Sequence, residues 1–165
     1  MAIYVFSSDN LTNIWAGIGA GLWAVSKPKD PSVHQGRVTK AEKIKIGSLG
    51  VLYCNAIHAL TTPFVVYSTP EPNVTIKNIW PEPWVLPFKI HPLGTPNKKI
   101  GKDEAMEALP TLRALAHRNF GHALPVQGNL AFVPSKLVDQ DWEVLISRLA
   151  EGAIVPTTAE ADVAA

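Results

Sequence analysis

The stretch Ala2–Ser26, AIYVFSSDNLTNIWAGIGAGLWAVS, decides the fold. Ile3-Tyr4-Val5-Phe6 is an apolar run too short for a helix and rich in β-formers. It ends in Ser7-Ser8-Asp9-Asn10, small polar residues suited to a turn and to hydrogen bonding. Leu11 to Gly21 reads as a helix-like step broken by Gly19-Ala20-Gly21. Leu22-Trp23-Ala24-Val25-Ser26 is a second strand-like run, and it carries an aromatic. A tight turn that joins the polar cluster to Trp23 would make a small-ligand pocket. The other reading is a surface loop beside a core tryptophan.

Outward from this stretch, Ser26 to Lys45 is polar and the densest basic segment of the chain. Pro28 and Pro31 are expected to keep its beginning extended. Gly50 to Asn55 is the clearest buried strand, and Phe64 to Ser68 reads as its antiparallel neighbour. Asn55 to Pro63 between them is long for a hairpin loop. Val74 to Ile79 alternates, and Trp80-Pro81-Glu82-Pro83-Trp84 interrupts it. A proline-stiffened loop belongs at the surface, so these two tryptophans are expected to be exposed. Val85 to Ile90 is one more strand, with Pro87 forcing an edge or a bulge.

His91 to Lys102 reads as a loop. Asp103 to Leu109 has an acidic start and apolar spacing, which predicts a short helix. Pro110 to Arg118 adds a turn or two, and Phe120 to Gln127 is irregular. Asn129 to Val133 reads as a short strand or packing segment. Val138 to Ala150 is the most convincing helix, with Val138, Trp142, Leu145, Ile146 and Leu149 on one face. Glu151 to Ala165 is small and polar and is expected to fray. The result is an α+β domain over residues 1–150 with a flexible tail over 151–165. Its sheet is curved and mostly antiparallel, or a β-barrel, flanked by helices.

Composition excludes several classes. The chain has 165 residues, 47% of them apolar and 18% charged, which describes a globular domain. No apolar run is long enough to span a membrane, and no signal peptide is legible. One cysteine, Cys54, excludes an internal disulfide and a cysteine-based zinc site. A cytosolic compartment fits. The net charge of +1 hides an asymmetry. Residues 1–102 hold 11 Lys/Arg against 5 Asp/Glu, and residues 103–165 hold 4 against 9. The basic part also carries Trp15, Trp23, Trp80 and Trp84. Cations for phosphates beside flat faces for bases are what a nucleic-acid surface requires. A solvated lysine surface gives the same count.

The motifs for chemistry are few. Gly17-x-Gly19-x-Gly21 is not a dinucleotide fingerprint, because its glycines precede a strand and do not open a helix. They are read as permitting a turn and close packing. His117 and His122 lack further ligands at a metal spacing, and no metal or cofactor is expected. No Ser-His-Asp, Cys-His or paired-carboxylate set stands out, so a non-catalytic protein is expected.

These pieces resemble the EVE-like and YTH-like branch of the PUA superfamily, small curved-sheet domains that read modified bases. The resemblance spans roughly Ala2 to Ile90. Tyr4-Val5-Phe6-Ser7-Ser8-Asp9-Asn10 is similar to the family's first strand and polar cluster. Gly21-Leu22-Trp23-Ala24-Val25-Ser26 is similar to its tryptophan strand, Lys40 to Tyr53 to its basic segment and apolar strand, and Trp84-Val85-Leu86-Pro87 to its later tryptophan element. The resemblance implies an aromatic cage of Trp23 and Trp84. It implies Ser8, Asp9, Asn10, Asn13, Ser26 and Leu86 around the base. Lys27, Lys29, Arg37, Lys40 and Lys43 are the expected phosphate contacts.

Asp9 stands where such a reader has an amide. A carboxylate accepts from an exocyclic amine, which favours a modified cytosine, 5-methylcytosine or 5-hydroxymethylcytosine, in DNA. A methylated-adenine or RNA reader of the same fold is the alternative, as is a small hydrolase or transferase using the same pocket. A protein-interaction module anchored on Trp80 and Trp84 is a third class. The C-terminal part looks more like EVE-like modules that accompany modification-dependent restriction nucleases. The expected partners are therefore modified DNA, with RNA possible, and a fused or separate nuclease effector. Nucleoid association in the cytoplasm would follow.

Overall fold

The first strand, β1 (Ile3–Ser8), is buried on both faces. Its side chains alternate between two cores, as strand geometry requires. Tyr4 and Phe6 enter one apolar cluster, and Ile3 and Val5 enter another. Ser7 and Ser8 continue the strand, so the expected turn begins two residues later, at Asp9. The computed structural model describes residues 2–115, 120–126 and 130–152, without the side chain of His122. His117, the His122 side chain and residues 153–165 of the expected tail lie outside the described residues.

Helix α1 (Leu11–Ala20) follows, capped by Asn10, whose side chain accepts the Asn13 N–H at 2.9 Å. It ends at Gly21 in the left-handed region, φ 65°, where a Cβ would be strained. Strand β2 (Leu22–Ser26) leads to a correction. Residues 31–41 are not extended but form helix α2 (Pro31–Ala41). Asp30 caps it through the Ser32 N–H, and Pro31 sits in the first turn, where its missing N–H costs nothing. The Ser32 hydroxyl, then its N–H, hold the Asp30 carboxyl below the usual carboxylate range.

Strands β3 (Leu49–Cys54) and β4 (Ala59–Val66) pair antiparallel, as expected. β4 starts earlier than its sequence indicates, with Pro63 inside it opposite Val51. Strand β5 is short (Thr75–Ile76), and β6 (Trp84–Pro92) is long. β6 bonds β4 through Ile90–Pro92 and bonds β2 through its other half. It thereby joins the two halves of a curled sheet. Pro87 produces a bulge: Leu86 and Pro87 lie opposite Ala24, and Leu86 has φ 56°. With β7 (Ile100–Gly101) on β4, the sheet runs β1-β3-β4-β6-β2. Among the described residues, β1 and β3 pair parallel and the other strand pairs are antiparallel. The architecture is α+β, a mixed and mostly antiparallel half-barrel.

Helices α3 (Lys102–Ala108), α4 (Pro110–Ala114), α5 (Phe120–Ala123) and α6 (Asp139–Leu149) follow. They cover the face of Ile3, Val5, Val51 and Leu60. α5 takes up Phe120–Ala123 of the segment expected to be irregular, and residues 124–126 are not helical. Leu145 and Leu149 are buried, but Val138 is exposed, because it stands at the cap and not on the core face. No helix among the described residues is long and apolar enough to cross a membrane.

Candidate nucleic-acid site

The opposite core holds Trp23, Trp80 and Trp84. Trp23 projects from β2 and lies against α1. A Cβ on Gly17 would stand 2.8 Å from its Cε3 and 2.9 Å from the Leu22 carbonyl oxygen. The glycine therefore makes the space for the indole, as expected of the Gly17-x-Gly19-x-Gly21 run. Gly17→Ala should displace Trp23 at a cost of about 1–3 kcal/mol. A shifted tryptophan emission and a lowered denaturation midpoint would report it.

The loop before β6 departs from the sequence expectation. Trp80 and Trp84 are 3% and 9% exposed. They stack on each other, centroids 4.3 Å apart at 14°. The Trp80 Nε1–H donates to the Asn13 carbonyl at 3.0 Å, which ties the loop to the first turn of α1. Trp23 meets both rings edge to face, at 5.4 Å and 74° from Trp84 and at 5.8 Å and 80° from Trp80. Nearly equal distances put Trp23 beside the stack, not over one of its faces. Hence neither Trp23 nor Trp80 covers the outer face of Trp84. A slot between Trp23 and Trp84 is absent, since touching rings leave no room for a base. What the pair forms is a right-angled corner.

Trp23 and Trp84 line a cavity of about 360 Å³, within the size range of small-ligand clefts. Its polar lip is the turn after β1. Ser8, Asp9, Asn10 and Asn13 all line it, as does Ser26 at the end of β2. Several of these groups also build the turn. The Ser8 hydroxyl donates to the Asn10 carbonyl at 3.1 Å. The Asp9 carboxylate accepts from the Asn55 amide at 3.2 Å. The Asn55 and Ala56 N–H groups donate to the Ser8 and Asp9 carbonyls. The turn between β3 and β4 therefore holds the lip in place.

Leu86 does not line the cavity. It is 1% exposed, in the core at the bulge, which corrects its expected place beside the base. The five expected phosphate contacts divide. Arg37 lines the cavity at 9% exposed, and its Nη1 donates to the Ser26 carbonyl at 2.8 Å. Burial lowers its guanidinium pKa from the ordinary arginine value. Lys27, Lys29, Lys40 and Lys43 are exposed and line no part of the cavity. Lys27 directly follows Ser26 and Lys29 comes two residues later, whereas Lys40 lies one turn past Arg37 and Lys43 beyond the helix end.

Other lining residues were not foreseen. Glu82 lies between the prolines of the tryptophan loop, and its neighbours there were the only signal. Pro125 and Ala131 come from beyond the segment that carries the resemblance, and nothing local marks them. Among the described residues, no group of three His, Cys, Asp or Glu side chains is placed to hold a metal.

No family model and no curated protein matches the sequence. The fold is similar to solved YTH domains. Against the apo CPSF4-YTH domain of Toxoplasma the identity is 16%, covering 92% of this chain and 89% of that one, at a TM-score of 0.52. Against the Mmi1 YTH domain it is 12%, covering 87% and 92%, at 0.53. An Mmi1 YTH domain complex with RNA gives 11%, 92% and 84%, at 0.51. The likeness is one of fold.

Proposed function

We propose that this protein is a non-catalytic reader that takes one methylated base of a single-stranded RNA, an adenine, into the cavity. Trp84, which lines the cavity at a right angle to Trp23, carries the reading. A base lies on the Trp84 face and turns its methyl-bearing edge toward Trp23. Stacking supplies about 1–3 kcal/mol per base. Burying one methyl adds roughly 0.8 kcal/mol. The Asp9 carboxylate accepts from the exocyclic amine, while Arg37, Lys27 and Lys29 meet the flanking phosphates. Lys40 and Lys43 extend the same basic side. The solved complex of an Mmi1 YTH domain with RNA favours RNA over DNA as the partner. Nothing corresponding favours an EVE-like kinship, a restriction nuclease or nucleoid association.

Modified cytosine in DNA is the second reading, and Asp9 on the cavity lip favours it, since cytosine also offers an exocyclic amine. One titration separates the two. Short RNAs with one methylated or unmodified adenine are compared with DNAs carrying 5-methylcytosine or cytosine, at two salt concentrations. Methylated RNA should bind about fourfold tighter or better than unmodified RNA, with affinity falling as salt rises. Trp84→Leu should weaken that binding by about 5–150-fold, the equivalent of one lost stack. Equal affinity for methylated and unmodified RNA would overturn the reading, and a preference confined to the methylated DNA would install the second.

A further inference from the structure

Two carboxylates border the cavity, and they come from separate elements. Asp9 belongs to the turn after β1, and Glu82 to the tryptophan loop. Both side chains are on exposed residues. Among the described residues neither is in an ion pair, since the ion pair there joins Arg148 to Glu104. Asp9 accepts a hydrogen bond from a neutral amide, that of Asn55. Among the described residues, Arg37 brings the guanidinium at the cavity, and its Nη1 donates to the Ser26 carbonyl. Among the described residues, the charged groups lining the cavity are two anions and one cation. Lys27 and Lys29 stand outside it.

A tryptophan face beside free carboxylates is a site for a cation. The ring quadrupole attracts positive charge over its face, and the attraction grows when water is excluded. A neutral methylated base stacks and hydrogen-bonds there but gains no charge–charge or cation–π attraction. A base methylated on a ring nitrogen, such as N1-methyladenine or N3-methylcytosine, carries a formal positive charge at neutral pH. Such a methyl also blocks the pairing edge. The base is then already unpaired, and the cost of extruding it is small.

Resting on the base-reading function above, we propose that the cavity selects cationic, ring-nitrogen-methylated bases, with Asp9 and Glu82 as the residues that read the charge. The selected base lies against Trp84, and its charge is balanced by the two carboxylates at the lip. Arg37, held on Ser26, serves the phosphate side.

N1-methyladenine and N6-methyladenine are isomers that differ in charge at pH 7 and hardly at all in size, so they make the test. Identical short RNAs carrying one or the other, and an unmodified control, are titrated at pH 7 against wild type, Glu82→Gln, Asp9→Asn and the double variant. Thermal unfolding confirms that each variant is folded. The N1-methyl RNA should bind about tenfold tighter than the N6-methyl RNA. Each single substitution should shrink that ratio to about threefold or less, and the double variant should remove it. If the N6-methyl RNA binds as well or better, and both exceed the control, the charge proposal fails while the reader stands. A preference for the N1-methyl RNA that survives the double substitution overturns the assignment to Asp9 and Glu82. If neither methylated RNA exceeds the control, the reader itself fails.

Discussion

Trp23→Ala is expected to lower the thermal midpoint by on the order of 10 °C and to abolish base binding at the same time. Trp23 is 1% exposed and among the largest fully buried side chains. Truncating a buried aromatic to alanine costs about 3–5 kcal/mol, because the cavity left behind collapses only in part. For a chain of this size, each kcal/mol moves the midpoint by about 2–4 °C. The effect on binding follows from the packing. Trp23 abuts the edges of the Trp80–Trp84 stack, so its loss frees the whole cluster. A loss of binding in this variant therefore reports on the fold as much as on contact with a base. Unfolding followed by circular dichroism beside the RNA titration separates the two. A midpoint within 2 °C of wild type would mean that Trp23 is not the support described here. Trp84→Leu keeps an apolar side chain in place and is the cleaner probe of stacking.

The contrast between these variants indicates what spacing could and could not reveal. β1, β2, β3 and α6 were legible because each obeys one strong local pattern: a short apolar run, or apolar residues at helical period. The bulge at Pro87 was legible for the same kind of reason, since a proline cannot donate to the ladder. α2 was obscured by Pro31. In Asp30-Pro31-Ser32 that residue begins a helix, and the preceding aspartate was the signal to weigh against extension. β4 was shortened because Pro63 reads as a terminator.

The site was partly legible. The polar turn, Ser26, Trp23, Trp84 and Arg37 all reach one cavity. Ring orientation did not follow from sequence. Trp80 and Trp84 were expected at the surface because their loop is stiff, yet the Asn13 carbonyl gives the Trp80 indole N–H a partner where the ring is buried. Once one indole is held there, the other stacks on it, and the pair enters the core together. Whether two tryptophans form a slot or a corner is decided by such a bond, which no spacing encodes.

Asp141→Ala should destabilise the protein by about 3 kcal/mol or more while leaving RNA affinity unchanged in the folded fraction. Asp141 is 0% exposed, at the third position of α6. Val138, which precedes α6, offers no side-chain acceptor, so the carboxylate accepts the Val138 N–H at 2.8 Å in place of a cap. The same carboxylate accepts the Thr111 N–H at 2.9 Å and the Thr111 hydroxyl, which fixes the start of α4 to the start of α6. Alanine leaves two backbone donors and a hydroxyl without their partner, at about 1–3 kcal/mol for each one that water does not reach. Asp141→Asn keeps an acceptor but turns a donor toward one of these groups, so a smaller loss is expected. Urea denaturation measures both. These helices pack on the face of the sheet that carries Ile3 and Val5, whereas Trp23, Trp80 and Trp84 occupy the other core. Stability should therefore fall without a change in base recognition. An Asp141→Ala protein within 0.5 kcal/mol of wild type would show that the three bonds do not hold the helix layer. One of normal stability loss but weakened RNA binding would show that the two cores are coupled through the strands between them.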